Sequence, residues 1–186
     1  VSPTLEQRLQ ELPTRCYGTY GMTETVSHIA LREINSERKS PAYFALGKVS
    51  FSTDERGCLV INTPHLQQQR FITNDIVQLV DTTHFEWLGR HDNVINSGGV
   101  KLFPESIEAR IASFLSQRFF ITAEDDNRLG QKAVLVIESL PWDEAECQQL
   151  LSRLKSCLSP YEVPKNIYFQ EHFTETYSGK IVRKIK

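Results

Sequence analysis

Methionine is nearly absent from this chain: Met22 is the only one, and the first residue is Val1. With no initiator at its start, the sequence reads as the later part of a longer protein. A long apolar run is missing as well. The opening VSPTLEQRLQELPTRC has no basic stretch followed by a hydrophobic one, so neither a secretory signal nor a membrane span is expected. Cysteine is sparse and scattered. Cys16, Cys58, Cys147 and Cys157 form no CxxC pair, and His28, His65, His84, His91 and His172 are equally dispersed. That pattern excludes a disulfide framework and a clustered zinc site, and fits a cytoplasmic setting. No excess of charge exists either, because 21 Lys and Arg face 23 Asp and Glu, giving a formal net charge of −2. Nucleic acid and anionic membranes are therefore not expected as main partners. With 9 glycines and 8 prolines, and with 40% hydrophobic and 24% charged residues, the chain is neither collagen-like nor disordered. Its 186 residues allow one large domain or two small ones.

Short β-runs dominate the first half. Ser2-Pro3-Thr4 followed by Leu5, Leu9 and Leu12 predicts a capped helix that stops at Pro13, and Arg15 to Tyr20 reads as extended. Six strands are expected next, at Tyr43–Leu46, Val49–Ser52, Cys58–Asn62, Phe71–Ile72, Ile76–Val80 and Phe85–Leu88. Asp54-Glu55-Arg56-Gly57 is the clearest hairpin turn, and the spacing suggests a small barrel or sandwich. After Arg90 to Asn93 the character changes. Val94 to Leu102 reads as a hairpin, and Pro104 opens a helix with Ile107, Ile111, Phe114 and Leu115 on one face. Phe119–Thr122, Ala133–Ile137 and Asn166–Gln170 are expected strands, with a helix from Pro141 to Leu158 between the last two, capped by Pro141 and early acidic residues. The expected fold is α+β, in two parts: a β-rich, barrel-like region over 1–91 and a small α+β domain over 92–186.

Four polar clusters are expected in turns, where binding groups tend to sit. They are Thr23-Glu24, Thr73-Asn74-Asp75, Arg90 with Asp92, and Gly179-Lys180. Threonine and backbone amides suit phosphate oxygens, glutamate suits a hard cation such as Mg²⁺, aspartate can accept both ribose hydroxyls, and Arg and Lys neutralise phosphate. The set suits a nucleotide. Each member alone has a plainer reading: Asp75 as a strand-end cap, Arg90 and Asp92 as a surface ion pair, Lys180 as a solvated tail. A phosphate-cradling P-loop is excluded at Ser178-Gly179-Lys180, because Thr174 stands where the upstream glycine belongs and Ile181 where a hydroxyl should follow. Gly98-Gly99 instead reads as a tight hairpin tip, or as a place where a ligand passes close to the backbone.

In their order along the chain, these clusters resemble the motifs of the adenylate-forming superfamily of acyl-CoA synthetases, luciferases and adenylation domains. Tyr20-Gly21-Met22-Thr23-Glu24-Thr25 is similar to its Tyr-Gly-x-Thr-Glu motif. Phe71-Ile72-Thr73-Asn74-Asp75 resembles Tyr-x-Thr-Gly-Asp, with Asn74 in the glycine's place. Gly89-Arg90-His91-Asp92, continuing through Gly98-Gly99-Val100-Lys101 to Pro104-Glu105 and Ile107-Glu108, resembles the hinge and the hairpin after it. Ser178-Gly179-Lys180-Ile181-Val182-Arg183 resembles the C-terminal catalytic-lysine motif. Asn93 replaces a frequent second aspartate, and Thr174 and Glu175 stand where the family often has proline and a basic residue.

The resemblance implies an enzyme that joins a small carboxylic acid to CoA at the expense of ATP, with Mg²⁺, through an acyl-adenylate. It implies Tyr20 and Gly21 at the adenine, Thr23 at the α-phosphate, Glu24 on Mg²⁺, Asp75 on the ribose and Arg90 on ribose or phosphate. Asp92 would be the hinge, Lys180 would bridge the substrate carboxylate and the α-phosphate, and Gly98 and Gly99 would line the thiol channel. The family's phosphate loop and most of its acyl pocket precede the Tyr-Gly-x-Thr-Glu motif and have no counterpart here. Sub-motif detail from Thr73 to Val77 and from Trp87 to Gly99 is most similar to o-succinylbenzoate–CoA ligases of menaquinone biosynthesis. Two alternatives stay open: another acyl- or aryl-CoA ligase, and, from a different class, a non-catalytic nucleotide-binding or lid fragment when isolated.

Overall fold

Among the described residues three hydrophobic clusters form, one in the first unit and two in the second. The computed structural model describes residues 3–35, 40–177 and 179–185, and its contacts divide the chain into Val1–Asp92 and Asn93–Lys186. Ser2, expected to cap the first helix, lies outside the described residues.

In the first unit a short helix, α1 (Pro3–Gln10), precedes seven strands: β1 (Tyr17–Gly21), β2 (His28–Glu33), β3 (Ala42–Ala45), β4 (Ser50–Thr53), β5 (Cys58–Asn62), β6 (Arg70–Leu79) and β7 (His84–Arg90). They make one sheet in the order β1-β2-β3-β7-β6-β5-β4, with every pairing antiparallel. The sheet is open, with β1 and β4 as its edges, so the barrel-like expectation is corrected to an open sheet. Phe51, Leu59, Ile61, Phe71, Val77 and Phe85 fill its core together with Ile29 and Ala30 from β2. Phe85 anchors this cluster, meeting Phe51 edge-on at 4.8 Å and stacking on Tyr43 at 5.4 Å.

A further expectation for this unit fails for a local reason, and β2 lies where the sequence pattern predicts no strand. Phe71–Ile72 and Ile76–Val80 are one strand, in which Thr73-Asn74-Asp75 forms a bulge opposite Leu59 of β5 instead of a turn. The Thr73 hydroxyl donates to the Leu59 carbonyl at 3.0 Å, so a buried polar side chain is satisfied inside the sheet instead of turning the chain outward.

The second unit opens with a hairpin, β8 (Ile95–Ser97) and β9 (Val100–Leu102), followed by α2 (Pro104–Ile111), β10 (Phe119–Asp126), β11 (Gly130–Glu138), α3 (Glu144–Lys155) and β12 (Ile167–Gln170). β11 is central. It pairs antiparallel with β10 along its length, and its other edge takes β12 in parallel and β8 at Gly130. A strand flanked on both edges and covered on both faces has no solvent-facing side, which is why Ala133 to Ile137 are all fully buried. Leu135 and Ile137 pack with Ile107 and Ile111 of α2 and Leu150 and Leu154 of α3, while Val136 packs with Phe120 and Phe173 in a separate cluster. Each such buried aliphatic side chain contributes about 1.5–3 kcal/mol relative to exposure.

α3 begins later than expected. Its cap is Asp143, not Pro141: the Asp143 carboxylate accepts the Glu146 N–H at 2.8 Å, and Glu146 accepts the Asp143 N–H at 3.0 Å. This reciprocal arrangement satisfies two otherwise free amides and is worth about 1 kcal/mol. Among the described residues, no helix is long and apolar enough to cross a membrane.

Candidate functional site

Register places the first two groups. β6 and β7 pair so that Asp75 lies opposite Arg90, and directly opposed residues share a face of the sheet with their side chains within reach. Arg90 Nη1 points at Asp75 Oδ1 from 3.5 Å, and Nη2 at Asp92 Oδ2 from 3.4 Å. Both distances exceed the usual 2.7–3.2 Å of a well-formed bond, and about half of the Arg90 side chain is exposed. Arg90 is therefore loosely held between two carboxylates and free to take a better anionic partner.

Asp75 is held differently. The Tyr20 phenol donates to Asp75 Oδ2 at 2.6 Å, the length expected of a charge-assisted O–H bond. The Tyr20 ring packs edge-on against Phe85 at 5.2 Å and Tyr43 at 5.9 Å, so its position is set by the core. Burial first, then the bond to Asp75, pushes the phenol's pKa well above its ordinary value, so it remains a donor throughout the physiological range. The Asp75 backbone N–H is also bound, by the Thr73 hydroxyl at 3.1 Å. The result is a fixed carboxylate with Oδ1 toward solvent-accessible Arg90, a geometry able to accept vicinal hydroxyls.

The segment after Tyr20 lines a cleft of about 470 Å³, bounded by Thr19, Gly21, Met22, Thr23, Val26, Ser27 and His28. Gly21 is required there: a Cβ at this position would lie 2.5 Å from the Ser27 carbonyl oxygen and 2.8 Å from the His28 Cα. Thr25, the buried member of the motif, organises the loop. Its hydroxyl accepts the Met22 N–H at 3.1 Å and lies 2.9 and 3.0 Å from the carbonyls of Met22 and Ser27. Thr23 and Glu24 are left exposed as a result. Val26 then adopts φ 67°, ψ −39°, with the Ser27 N–H donating to the Thr25 carbonyl at 2.7 Å. That is a γ-turn of the strained, positive-φ kind, rare for a β-branched residue and typical of places where a site constrains the backbone.

Arg56, read from sequence only as part of a turn, belongs to this region. Its Nη1 donates to Asn74 Oδ1 and its Nη2 to the Thr73 carbonyl, both at 3.2 Å, while Nε binds Asp54 at 2.9 Å. Asn74 is thus a residue through which the β4–β5 turn grips the strand carrying Asp75. The 17 and 18 residues separating the partners hide this pairing from any local reading. Of the expected positions in this unit, the structure brings Tyr20, Asp75, Arg90 and Asp92 into one bonded chain; Gly21, Thr23 and Glu24 form the neighbouring loop. The Thr73–Asp75 cluster sits in a strand, contrary to the expectation of a turn.

The remaining positions lie in the second unit. Gly98 and Gly99 both have positive φ, 58° and 82°, and form the two-residue tip between Ser97 and Val100. Ser97 is buried and its hydroxyl has no partner among the described residues. Lys180 is exposed in a tight reversal of the C-terminal segment; Ser178, next to it in the motif, lies outside the described residues. The reversal is closed by the Thr176 N–H on the Lys180 carbonyl at 2.8 Å, the Lys180 N–H on the Thr176 hydroxyl at 3.1 Å, and a bridge between Glu175 and Ile181. Glu175 is paired with Arg118. Arg118 also grips Glu138, with contacts of 2.5 and 2.6 Å.

Among the described residues no three His, Cys, Asp or Glu side chains converge as a cation site. A cation at Glu24 would have to arrive with phosphate oxygens completing its shell, as a Mg²⁺–nucleotide substrate does.

No family model matches the chain. Over 196 residues it is 26% identical to a 2-succinylbenzoate–CoA ligase of Geobacillus sp. (strain WCH70), a match covering 90% of this chain and 39% of that protein. Among solved structures, an acyl-CoA synthetase (AMP-forming)/AMP-acid ligase II-like protein from Dyadobacter fermentans is 42% identical with a TM-score of 0.50, covering 97% of this chain and 52% of that one. The o-succinylbenzoate CoA synthetase of Bacillus subtilis, in complex with its acyl-adenylate intermediate, shares the fold with a TM-score of 0.79 at 19% identity, over 98% of this chain and 43% of that one. The homologues and structural neighbours of this chain are AMP-forming acyl-CoA ligases, 2-succinylbenzoate–CoA ligases among them. The chain spans less than half the length of the curated relatives it matches.

Proposed function

We propose that this chain is the C-terminal portion of an ATP-dependent acid–CoA ligase, and that the acid is o-succinylbenzoate, placing the enzyme in menaquinone biosynthesis. The observation that carries the reading is the bonded chain Tyr20–Asp75–Arg90–Asp92, drawn from β1, β6, β7 and the turn after β7. A fixed carboxylate beside a loosely held guanidinium is what a nucleoside phosphate needs: acceptors for the ribose hydroxyls and a cation that can leave its carboxylates for a phosphate.

The chemistry follows in two steps. A substrate carboxylate oxygen attacks the α-phosphorus of ATP, the bond to the bridging oxygen breaks, and pyrophosphate leaves. Negative charge accumulates on the phosphoryl oxygens; the Lys180 ammonium would stabilise it, and Glu24 would help to hold the Mg²⁺ that ATP brings, which supplies further positive charge there. Such a placed charge is worth about 3–4 kcal/mol, or 10²–10³ in rate. The CoA sulfur then attacks the acyl carbon, its proton is lost to solvent, and AMP leaves. That step needs a route for the thiol, which the side-chain-free tip Gly98-Gly99 would provide, and little from Lys180. Two steps with different needs are served by a swing about Asp92, at the boundary of the two units.

A second reading, a different acyl- or aryl-CoA ligase, is favoured by the 42%-identical neighbour, whose description names no o-succinylbenzoate. The deciding experiment supplies the complete enzyme with ATP, CoA and a panel of carboxylic acids and measures AMP and thioester formation. Turnover with o-succinylbenzoate well above the other acids is expected. Turnover confined to a different acid would move the enzyme to the second reading, and no acid-dependent AMP formation would remove the ligase assignment.

A further inference from the structure

The segment bearing Lys180 has little regular structure of its own, yet it is tied to the second unit by a partly buried ionic clamp three residues further on. Arg183 meets Glu108 of α2 with both prongs: Nη1 on Oε1, and Nη2 on Oε2 at 2.8 Å. Nη1 also donates to the Ile121 carbonyl at 3.1 Å, and Glu108 Oε1 accepts the Ile121 N–H at 2.7 Å. The fork therefore joins three elements at once: the tail, α2 and β10. Arg183 Nη2 lies 3.9 Å from Glu105, one turn before Glu108 on α2, and Glu105 in turn accepts from the Asn93 side chain, the first residue of the unit. Glu105 Oε2 is buried with no partner among the described residues, so Arg183 is the cation available to that carboxylate as well.

We propose that Arg183 and Glu108 are positioning residues for Lys180, and that the network Asn93–Glu105–Arg183–Glu108 carries the lysine segment rigidly with the start of the second unit. The inference rests on the ligase reading above, in which Lys180 acts in adenylation. The geometry explains why a fork is needed. A lysine at 183 could balance one carboxylate, but it has no planar pair of donors to hold Glu108 and the Ile121 carbonyl together. Other contacts also hold the segment, namely the Val182 N–H on the Thr174 carbonyl at 2.8 Å, the Glu175–Arg118 pair, Ile181 against the Phe120–Val136–Phe173 cluster and the Gln170 side chain on the Lys184 carbonyl at 2.9 Å, but none of these reaches α2. Loss of the clamp would leave Lys180 on a segment no longer tied to α2, and a misplacement of about an ångström costs up to about 10²-fold in rate.

The test compares Arg183→Ala, Arg183→Lys and Glu108→Gln with Lys180→Ala in the complete enzyme, reading two half-reactions separately. The first is acid-dependent ATP–pyrophosphate exchange; the second is thioester formation from supplied acyl-adenylate. The inference expects exchange to fall about 10–10²-fold for Arg183→Ala and Glu108→Gln, with KM for ATP held and the thioester step unaltered, and Arg183→Lys to recover part of the loss. Amide exchange on this chain should quicken at residues 174–182 in Glu108→Gln but not across β11, nor in β10 away from Ile121, whose N–H Glu108 itself accepts. An equal fall in both half-reactions, with quickened exchange throughout the unit, would make the pair merely structural and overturn the inference. Wild-type exchange in both variants, with Lys180→Ala inactive, would overturn the inference and leave the ligase reading standing. Wild-type exchange in Lys180→Ala would overturn both.

Discussion

The phenol of Tyr20 donates to Asp75 at 2.6 Å across 55 residues of sequence, and this bond fixes the carboxylate on which the nucleotide reading depends. Removing the hydroxyl alone is the cleanest perturbation. Tyr20→Phe keeps the ring contacts with Phe85 and Tyr43 but frees Asp75. A bond to a charged group is worth about 1.5–3 kcal/mol, so ATP affinity should fall about 10–10²-fold by calorimetry while the fold is retained by circular dichroism. Unchanged affinity would separate Tyr20 from the site.

Gly21 tests the backbone of the same loop. In Gly21→Ala the added carbon would meet backbone atoms at 2.5 and 2.8 Å, which cannot rotate away as a side chain could. Overpacking of this kind costs about 1–3 kcal/mol. At about 4–8 °C per kcal/mol for a unit of this size, thermal unfolding of the first unit should drop by about 5 °C or more. A shift below one degree would mean that the Ser27–His28 backbone does not pass where the structure has it.

Arg56 and Asn74 should be energetically coupled. Each single substitution, Arg56→Ala or Asn74→Gly, loses a bond worth about 0.5–1.5 kcal/mol, and the double variant should lose less than the sum, because the shared contact can be removed only once. Denaturant unfolding of the four proteins gives the coupling directly. Strict additivity would show that the 3.2 Å contact carries no energy.

Acid should weaken the second unit through Glu138. The bonds from Arg118, reinforced by the Phe173 N–H, hold its carboxyl down from 4.5 to about 2. A carboxyl with a depressed folded pKa contributes stability that is present above 4.5 and is lost as pH falls toward 2. Unfolding midpoints measured from pH 6 downward should therefore decline through this window, and Arg118→Ala should flatten the decline. An equal slope in the variant would place the acid sensitivity elsewhere.

Much of this organisation could be read in the sequence, for physical reasons that differ by element. Hairpin tips such as Gly98-Gly99 and Asp54–Gly57 announce themselves by residue type, since the conformations they need are local. α2 shows its buried stripe through Ile107 and Ile111. Continuous β6 did not announce itself, because Thr73, Asn74 and Asp75 are individually turn-forming and are kept in the strand by partners in β5 and in the β4–β5 turn. The start of α3 was misplaced because Pro141 is a strong local signal, whereas the Asp143–Glu146 pair that sets the cap is visible only once the helix exists. In the site, Tyr20, Asp75, Arg90 and Asp92 were named from motifs. That Tyr20 serves Asp75, that Arg56 supports Asn74 and that Arg183 reaches Glu108 across 75 residues depend on tertiary contact, for which the sequence carries no local mark.

The central claim, that this chain supplies the nucleotide-anchoring groups and the lysine of an acid-activating ligase, meets its most direct test in ATP–pyrophosphate exchange by the complete enzyme with o-succinylbenzoate, with and without Lys180→Ala. The account predicts acid-dependent exchange that falls at least about 10²-fold in the variant. Exchange at the wild-type rate in Lys180→Ala would contradict it.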